Sequence, residues 1–350
     1  MTSKRALSHL RSRRRGLALA AAVSAAALAL TACGASSDAD STGGKTIDLV
    51  AYSTPQTAYK SIEAAFKKTE AGNGVSFKES YGGSGDQSRA VAGGQPADFV
   101  NFSLESDVTR LVDEDLVADD WDSAENKGIV ADSVVVIAVR KGNPKNIKGW
   151  DDIVKPGVGI VTPNPASSGG ARWNVLAAYG HTIATGGTED DAKAYLTKFF
   201  ENAVSLPGSA RDALTSFTSG NGDVLISYEN EAILARQNDE DLDYIVPDQT
   251  LLIETPAAVT KDAPAVAKSF LDFLFTKEAQ TDFVKSGYRP VLDGVTAEVE
   301  GANDPADPFP TPETLLTVAD DFGGWPAAQA KFFDDGALVP TIQEETGTTE

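Results

Sequence analysis

Between residues 46 and 290 the apolar positions switch repeatedly between the period of a strand and the period of a helix. Ile47 to Ala51 is a short apolar run bounded by turn residues and predicts a strand. Thr54-Pro55 reads as a helix start, with Thr54 as cap and Pro55 in the first helical position, and Tyr59, Ile62 and Phe66 recur at helical spacing behind it. Val75 to Ser80 alternates as a strand, and Gly82-Gly83-Ser84-Gly85 leads into a helix. Ala97 to Phe102 predicts the next strand, and Leu104, Val108 and Leu111 mark its helix. Val134 to Val139 is an unbroken apolar run rich in β-branched residues, the pattern of a strand buried on both faces. Val158 to Thr162 predicts another strand, followed by a Pro- and Ser-rich loop and a helix from about Gly169. Val224 to Tyr228 is a strand running into a helix at Glu229 to Arg236, and Val266, Phe270, Phe273 and Leu274 share one face of a later helix.

Strands alternating with helices predict an α/β fold with largely parallel sheets. About 300 folded residues exceed what one core usually covers, so two lobes are expected. The N-terminus carries a different pattern. A basic stretch ends at Arg15, an apolar run follows from Leu17 to Leu30, and Leu30-Thr31-Ala32-Cys33 comes next. The run has the length of a signal segment rather than of a membrane span. The tetrapeptide resembles the lipobox of bacterial lipoproteins. It implies a signal peptide over 1–32 and an acylated Cys33 holding the protein to the outer face of the cell membrane. Residues 33–45 are rich in Ser, Gly, Asp and Thr and predict a flexible tether.

Charge narrows the function further. The chain carries 30 basic and 51 acidic residues, and six of the cations lie in the first 32 positions. The remaining body has 24 basic against 51 acidic residues, a net of −27. Such a body excludes nucleic acid, whose phosphates demand a basic patch, and favours a monomer. Cys33 is the single cysteine, and His9 and His181 are the two histidines. No cluster for a metal or a nucleophilic dyad remains once Cys33 is acylated, so no catalytic residue, metal or cofactor is expected. His181 reads as a surface or capping residue. Trp121, Trp150, Trp173 and Trp325 read as packing residues.

Three loops share one design: Gly82-Gly83-Ser84-Gly85, Ser167-Ser168-Gly169-Gly170 and Gly208-Ser209-Ala210. Each ends a strand and opens a helix. The first amides of a helix lack intrahelical partners, and the helix end carries partial positive charge. Glycine lets a ligand approach that backbone. Three such turns can converge on one anion beyond the carboxyl ends of the strands. No P-loop and no dinucleotide fingerprint is present.

These turns belong to a longer series. Gly82-Gly83-Ser84-Gly85, Arg140-Lys141-Gly142-Asn143-Pro144, Thr162-Pro163-Asn164-Pro165, the block Ser167 to Asn174, Gly222 to Ile226, Glu229-Asn230-Glu231-Ala232, Tyr288-Arg289-Pro290 and Phe322-Gly323-Gly324-Trp325 occur in this order. In them the chain resembles the prokaryotic sulfate-binding proteins over nearly all of its mature length. The resemblance implies a two-lobed periplasmic-binding-protein fold, with two crossings between lobes and the ligand in the interlobe cleft. It implies 46–139 and 252–350 as lobe 1 and 140–251 as lobe 2, with crossings near Val139–Lys141 and Leu251–Glu254. In that family the sulfate ion is held without counter-charge, mainly by backbone amides at helix starts. By position these amides fall at Ser53, Ser84, Gly169, Gly170 and Ala210, with a hydroxyl from Ser168. The family's remaining donor is a tryptophan indole where this chain has Tyr228. Asp86 follows Gly85 and reads as pairing with the helix end, pointing outward. Arg172 reads as a brace for the Ser168 loop. The implied partners are sulfate and the membrane permease subunits of an ABC importer. Thiosulfate, molybdate and phosphate are the alternative ligands, and a surface enzyme is the alternative class.

Overall fold

The computed structural model describes residues 45–349. The expected leader, Cys33 and nearly all of the expected tether lie outside the described residues. Ten strands are formed among those described: β1 (Thr46–Tyr52), β2 (Ser76–Gly82), β3 (Phe99–Asn101), β4 (Ile129–Arg140), β5 (Ile160–Val161), β6 (Ala203–Ser205), β7 (Val224–Tyr228), β8 (Leu242–Ile245), β9 (Gln249–Val259) and β10 (Thr314–Leu316). The helices are α1 (Gln56–Phe66), α2 (Ser84–Ala92), α3 (Glu105–Asp113), α4 (Trp150–Ile153), α5 (Gly169–Ala184), α6 (Glu189–Glu201), α7 (Ala210–Thr218), α8 (Glu229–Gln237), α9 (Ala265–Leu274), α10 (Lys277–Lys285), α11 (Val318–Asp321), α12 (Trp325–Ala328) and α13 (Leu338–Thr346). A single π-helical turn, Gln329–Phe333, follows α12.

The strands form one hydrogen-bonded path in the order β2-β1-β3-β9-β4-β7-β5-β6, with β10 on β9 and β8 on β4. β1 pairs in parallel with β2 and β3, and β5 pairs in parallel with β6 and β7. The expectation of largely parallel sheets needs one correction. β4 and β9 run antiparallel to each other, and they also pair antiparallel with β7, β8 and β3. Both are long strands that leave one half of the molecule and enter the other. A parallel sheet with helical crossovers has no such element, because each of its strands stays inside one layer.

Each half is a sheet with helices on both faces. Ile47, Leu49 and Ala51 of β1 point into a core shared with α1, α9 and α10, while Val50 points into a smaller core with Val91, Val108 and Leu111. The alternation in β4 is equally regular. Val135, Ile137 and Val139 pack with α5 and α6, while Val134, Val136 and Ala138 pack with α7 and α8. The unbroken apolar run is therefore a strand buried on both faces, each side chain taking the opposite layer from its neighbour.

Pairing and packing at two places bear on where the chain passes between the halves. Val135 to Val139 already pair with β7, so β4 passes from one half to the other upstream, where it pairs with β9 over 129–134. The C-terminal part of 252–350 packs against elements of the second half. Val295, Val299 and Ala302 join the core of β4, α7 and α8, and Trp325, Phe332, Val339 and Ile342 join the core of α5 and α6. The reason is apolar burial: α5 and α6 present Trp173, Tyr179 and Leu196, and the C-terminal helices cover them.

A small uncharged cavity between the two halves

Five segments that follow or end strands meet where the halves face each other. Ser53 follows β1, and Ser84 is the first residue of α2 directly after β2. Ser168 precedes α5, which opens with Gly169 and Gly170, and Ala210 opens α7. Tyr228 ends β7. All seven residues line one small, tightly closed pocket, together with Tyr52, Gly82, Gly83 and Ser103. Every lining side chain is uncharged.

The amides around this cavity divide into used and unused donors. The Gly85 amide donates to Ser167 O across the cleft (3.0 Å), and the Arg211 amide donates to Ser53 Oγ (3.3 Å). Ser209 caps α7 by accepting from the Asp212 amide. Among the described residues the amides of Ser84, Gly169, Gly170 and Ala210 have no partner, as expected for the first residues of three helices. Two hydroxyls differ sharply. Ser84 Oγ donates to the buried Asp107 carboxylate (2.6 Å) and accepts from the Ser103 amide (2.9 Å), so its side chain is committed behind the cavity wall. Ser168 makes no cap bond to its own helix. Gly169 has no room for a side chain, because a Cβ there would stand 2.5 Å from Ser103 Oγ.

Tyr228 is buried, and burial pushes its phenol pKa well above the ordinary value, with Tyr52 adding to the effect. Its hydroxyl bonds Ser103 Oγ at 2.7 Å, and its ring lies 6.1 Å from that of Tyr52. Trp173 Nε1 donates to both Ser103 O (3.1 Å) and Ser103 Oγ (3.0 Å). Ser103 and Tyr52 were not singled out from sequence. The signal for Ser103 was available, since it follows Phe102, the last residue of the predicted strand, where ligand-facing residues gather.

The charged residues named from sequence stand back from the cavity. Asp86 points outward, 59% exposed, and pairs with Arg89 at 2.6 Å. Arg89 also reaches across to Ala166 O (3.1 Å). Arg172 braces the loop before α5: Nε donates to Pro165 O (3.1 Å) and Nη1 to Gln329 Oε1 (2.6 Å). Arg211 forks onto the buried Glu231 (2.7 Å to each oxygen) and donates to Thr54 O (3.0 Å), so its charge is matched. His181 departs from expectation. It is 7% exposed inside α5, stacked on Trp150, with Nδ1 3.2 Å from Gln249 Oε1. Trp150 and Tyr195 pack against its ring and bury it. Trp150, Trp173 and Trp325 are core residues, and Trp121 is half-buried.

Residues 47–289 match the family described as bacterial extracellular solute-binding protein. The chain is 42% identical over 327 residues to a sulfate-binding protein of Synechococcus elongatus, covering 89% of this chain and 91% of that protein. It is 35% identical over 293 residues to a thiosulfate-binding protein of Escherichia coli, covering 80% and 85%. Its fold superposes on the sulfate-binding protein SubI from Mycobacterium tuberculosis with a TM-score of 0.78 and 43% identity, covering 83% of this chain and 100% of that one. With its two α/β halves and a cavity walled by helix starts from both, the chain belongs to the bacterial extracellular solute-binding proteins, in company with relatives named for sulfate.

Proposed function

We propose that this protein captures sulfate between its two lobes and delivers it to the membrane permease subunits of an ABC importer. The observation that carries this reading is the chemistry of the cavity wall: unused helix-start amides from both lobes, and no charged side chain. A hydrogen bond to a charged group contributes about 1.5–3 kcal/mol, so several of them offset the costs of association and reach about −8 kcal/mol, a micromolar dissociation constant. Ser53, Ser84, Gly169, Gly170 and Ala210 offer their amides and Ser168 its hydroxyl. Sulfate carries no proton at neutral pH and presents only acceptors. Monohydrogen phosphate brings a proton that a wall of donors leaves unpaired, which is costly in a buried site. The sulfate-binding relatives support the same ligand.

In this reading the protein works as a monomer on the extracytoplasmic face, tethered through a lipid on Cys33. Mass spectrometry of the mature N-terminus tests the anchor. Lobe 1 comprises 46–133 and 254–290, and lobe 2 comprises 134–253 and 291–346. Calorimetric titration against sulfate, thiosulfate, molybdate and phosphate tests the ligand. Sulfate is expected to bind at micromolar level or tighter, with phosphate far weaker. Tightest binding of thiosulfate would transfer the assignment to that anion, and binding of none of the four would remove it.

A further inference from the structure

Ser103 belongs to the first half of the molecule, and the two groups that hold its hydroxyl, Trp173 Nε1 and Tyr228 OH, belong to the second. All three side chains are essentially inaccessible to solvent, and Ser103 and Tyr228 line the cavity. Counting donors decides what this trio can do. An indole N–H donates and cannot accept, so one lone pair of Ser103 Oγ is filled by Trp173. The 2.7 Å contact fits either hydroxyl as donor; a phenol is a stronger acid than an alkanol, and with Tyr228 taken as the donor Ser103 accepts. Both lone pairs of Ser103 Oγ are then used, and among the described residues its own proton has no acceptor. Ser103 Oγ lies against the Cα of Gly169, beside the open amides that begin α5. Two incoming hydrogen bonds polarise the serine O–H and strengthen it as a donor.

Resting on the sulfate reading above, we propose that Ser103 Oγ is a direct hydrogen-bond donor to the bound anion, set in place by Trp173 and Tyr228. Tyr228 thus acts through Ser103 rather than on the anion. The arrangement stands in for a single longer side chain: the tyrosine is too committed to reach the ligand, and the serine from the opposite half completes the distance. It also makes the donor conditional. Ser103 is oriented only while the halves are together, so this hydrogen bond stabilises the closed form.

Calorimetry with sulfate on Ser103→Ala, Tyr228→Phe and the double variant of the mature chain tests this. Ser103→Ala is expected to weaken binding about 10- to 150-fold, the loss of one charge-assisted hydrogen bond. Tyr228→Phe is expected to lose less, because Trp173 still orients Ser103. The double variant should match Ser103→Ala alone, since Tyr228 has nothing to act on once the serine is gone. Folding is guarded: Trp173 Nε1 keeps Ser103 O as acceptor, so melting without sulfate should hardly move. If Ser103→Ala nevertheless unfolds, Ser103→Cys retains a side chain of similar size with only a weak S–H donor and should show a comparable loss. Parent-like binding by the serine variants overturns the proposal. So does a double variant whose losses multiply, which would put Tyr228 on the anion by itself. A parent that binds no sulfate would instead remove the functional reading.

Discussion

Ser84 and Ser168 occupy equivalent places at two helix starts, yet their hydroxyls have different duties. Ser84 is tied to Asp107 and so offers the cavity only its amide, while Ser168 keeps its hydroxyl clear of its own helix. Ser168→Ala is therefore expected to weaken sulfate binding about 10- to 150-fold in a calorimetric titration, and Ser84→Ala to act mainly on stability. A Ser168→Ala variant that binds like the parent would show that its hydroxyl points elsewhere. A second residue governs pH dependence. Asp132 on β4 stands opposite Glu254 on β9, and its pKa is pushed up to about 8, by burial first and Glu254 second, with Arg289 opposing. The folded protein thus holds a proton that the unfolded chain releases near the usual carboxylate pKa of about 3.9. Stability from this group is complete below that value and is lost as pH rises through about 8. Asp132→Asn should melt higher than the parent by a margin that grows from pH 5 to pH 9, and a margin independent of pH would refute the assignment.

Strand-turn-helix units line the cavity, and what they share is a short turn that brings backbone to its wall. Gly83 shows how tight that approach is. A Cβ on it would stand 2.7 Å from Gly208 O and 2.8 Å from Ser167 O, both backbone atoms of the opposite half. Gly83 has ordinary extended dihedrals, so alanine is compatible with the turn itself and only the closed contact is blocked. Gly83→Ala is expected to fold normally and to release sulfate at least tenfold faster, the loss of one charge-assisted hydrogen bond or more. Stopped-flow dissociation measures this, and an unchanged off-rate would mean the halves close less tightly. The short strands β1, β5 and β7 and the starts of α5 and α8 were legible from apolar runs and small-residue turns. The length of β4 and the whole of β9 were not, because Ile129 to Ser133 and Gln249 to Thr255 mix polar and apolar residues in neither period. α1 was also misread by one position: Pro55 is its cap residue, with no side-chain cap bond from Thr54.

Over the whole molecule, an acidic surface surrounds an uncharged cavity. The long-range field of that surface is screened beyond about 8–10 Å at physiological salt, so affinity is set by the donors inside. The cavity walls come from two halves linked by β4 and β9 and by the segment near Arg289, whose guanidinium pairs with the buried Glu229 (2.8 Å). Closure on the anion by rotation about these links is the expected motion. Saturating sulfate should therefore reduce the radius of gyration in solution scattering, whereas identical curves with and without sulfate would mean that binding needs no closure. The C-terminal segment packs on the second half: Trp325 lies edge-on against Trp173 at 4.7 Å and so backs the residue that holds Ser103.

Strand and helix order, the acidic body and the three Gly- and Ser-rich turns are local properties, written in residue type and spacing, and the sequence by itself determined them. The resemblance in conserved order of motifs extended that to the seven cavity residues, because backbone donors depend on turn position more than on side chains. Tertiary structure alone decided which hydroxyls were free. Ser84, Ser103 and Tyr228 all carry one, but each finds its partner 19 to 125 residues away in sequence, across elements whose approach no local pattern encodes. It also decided that the chain beyond Arg289 returns to the second half, because the apolar face it covers is made by α5 and α6, far upstream.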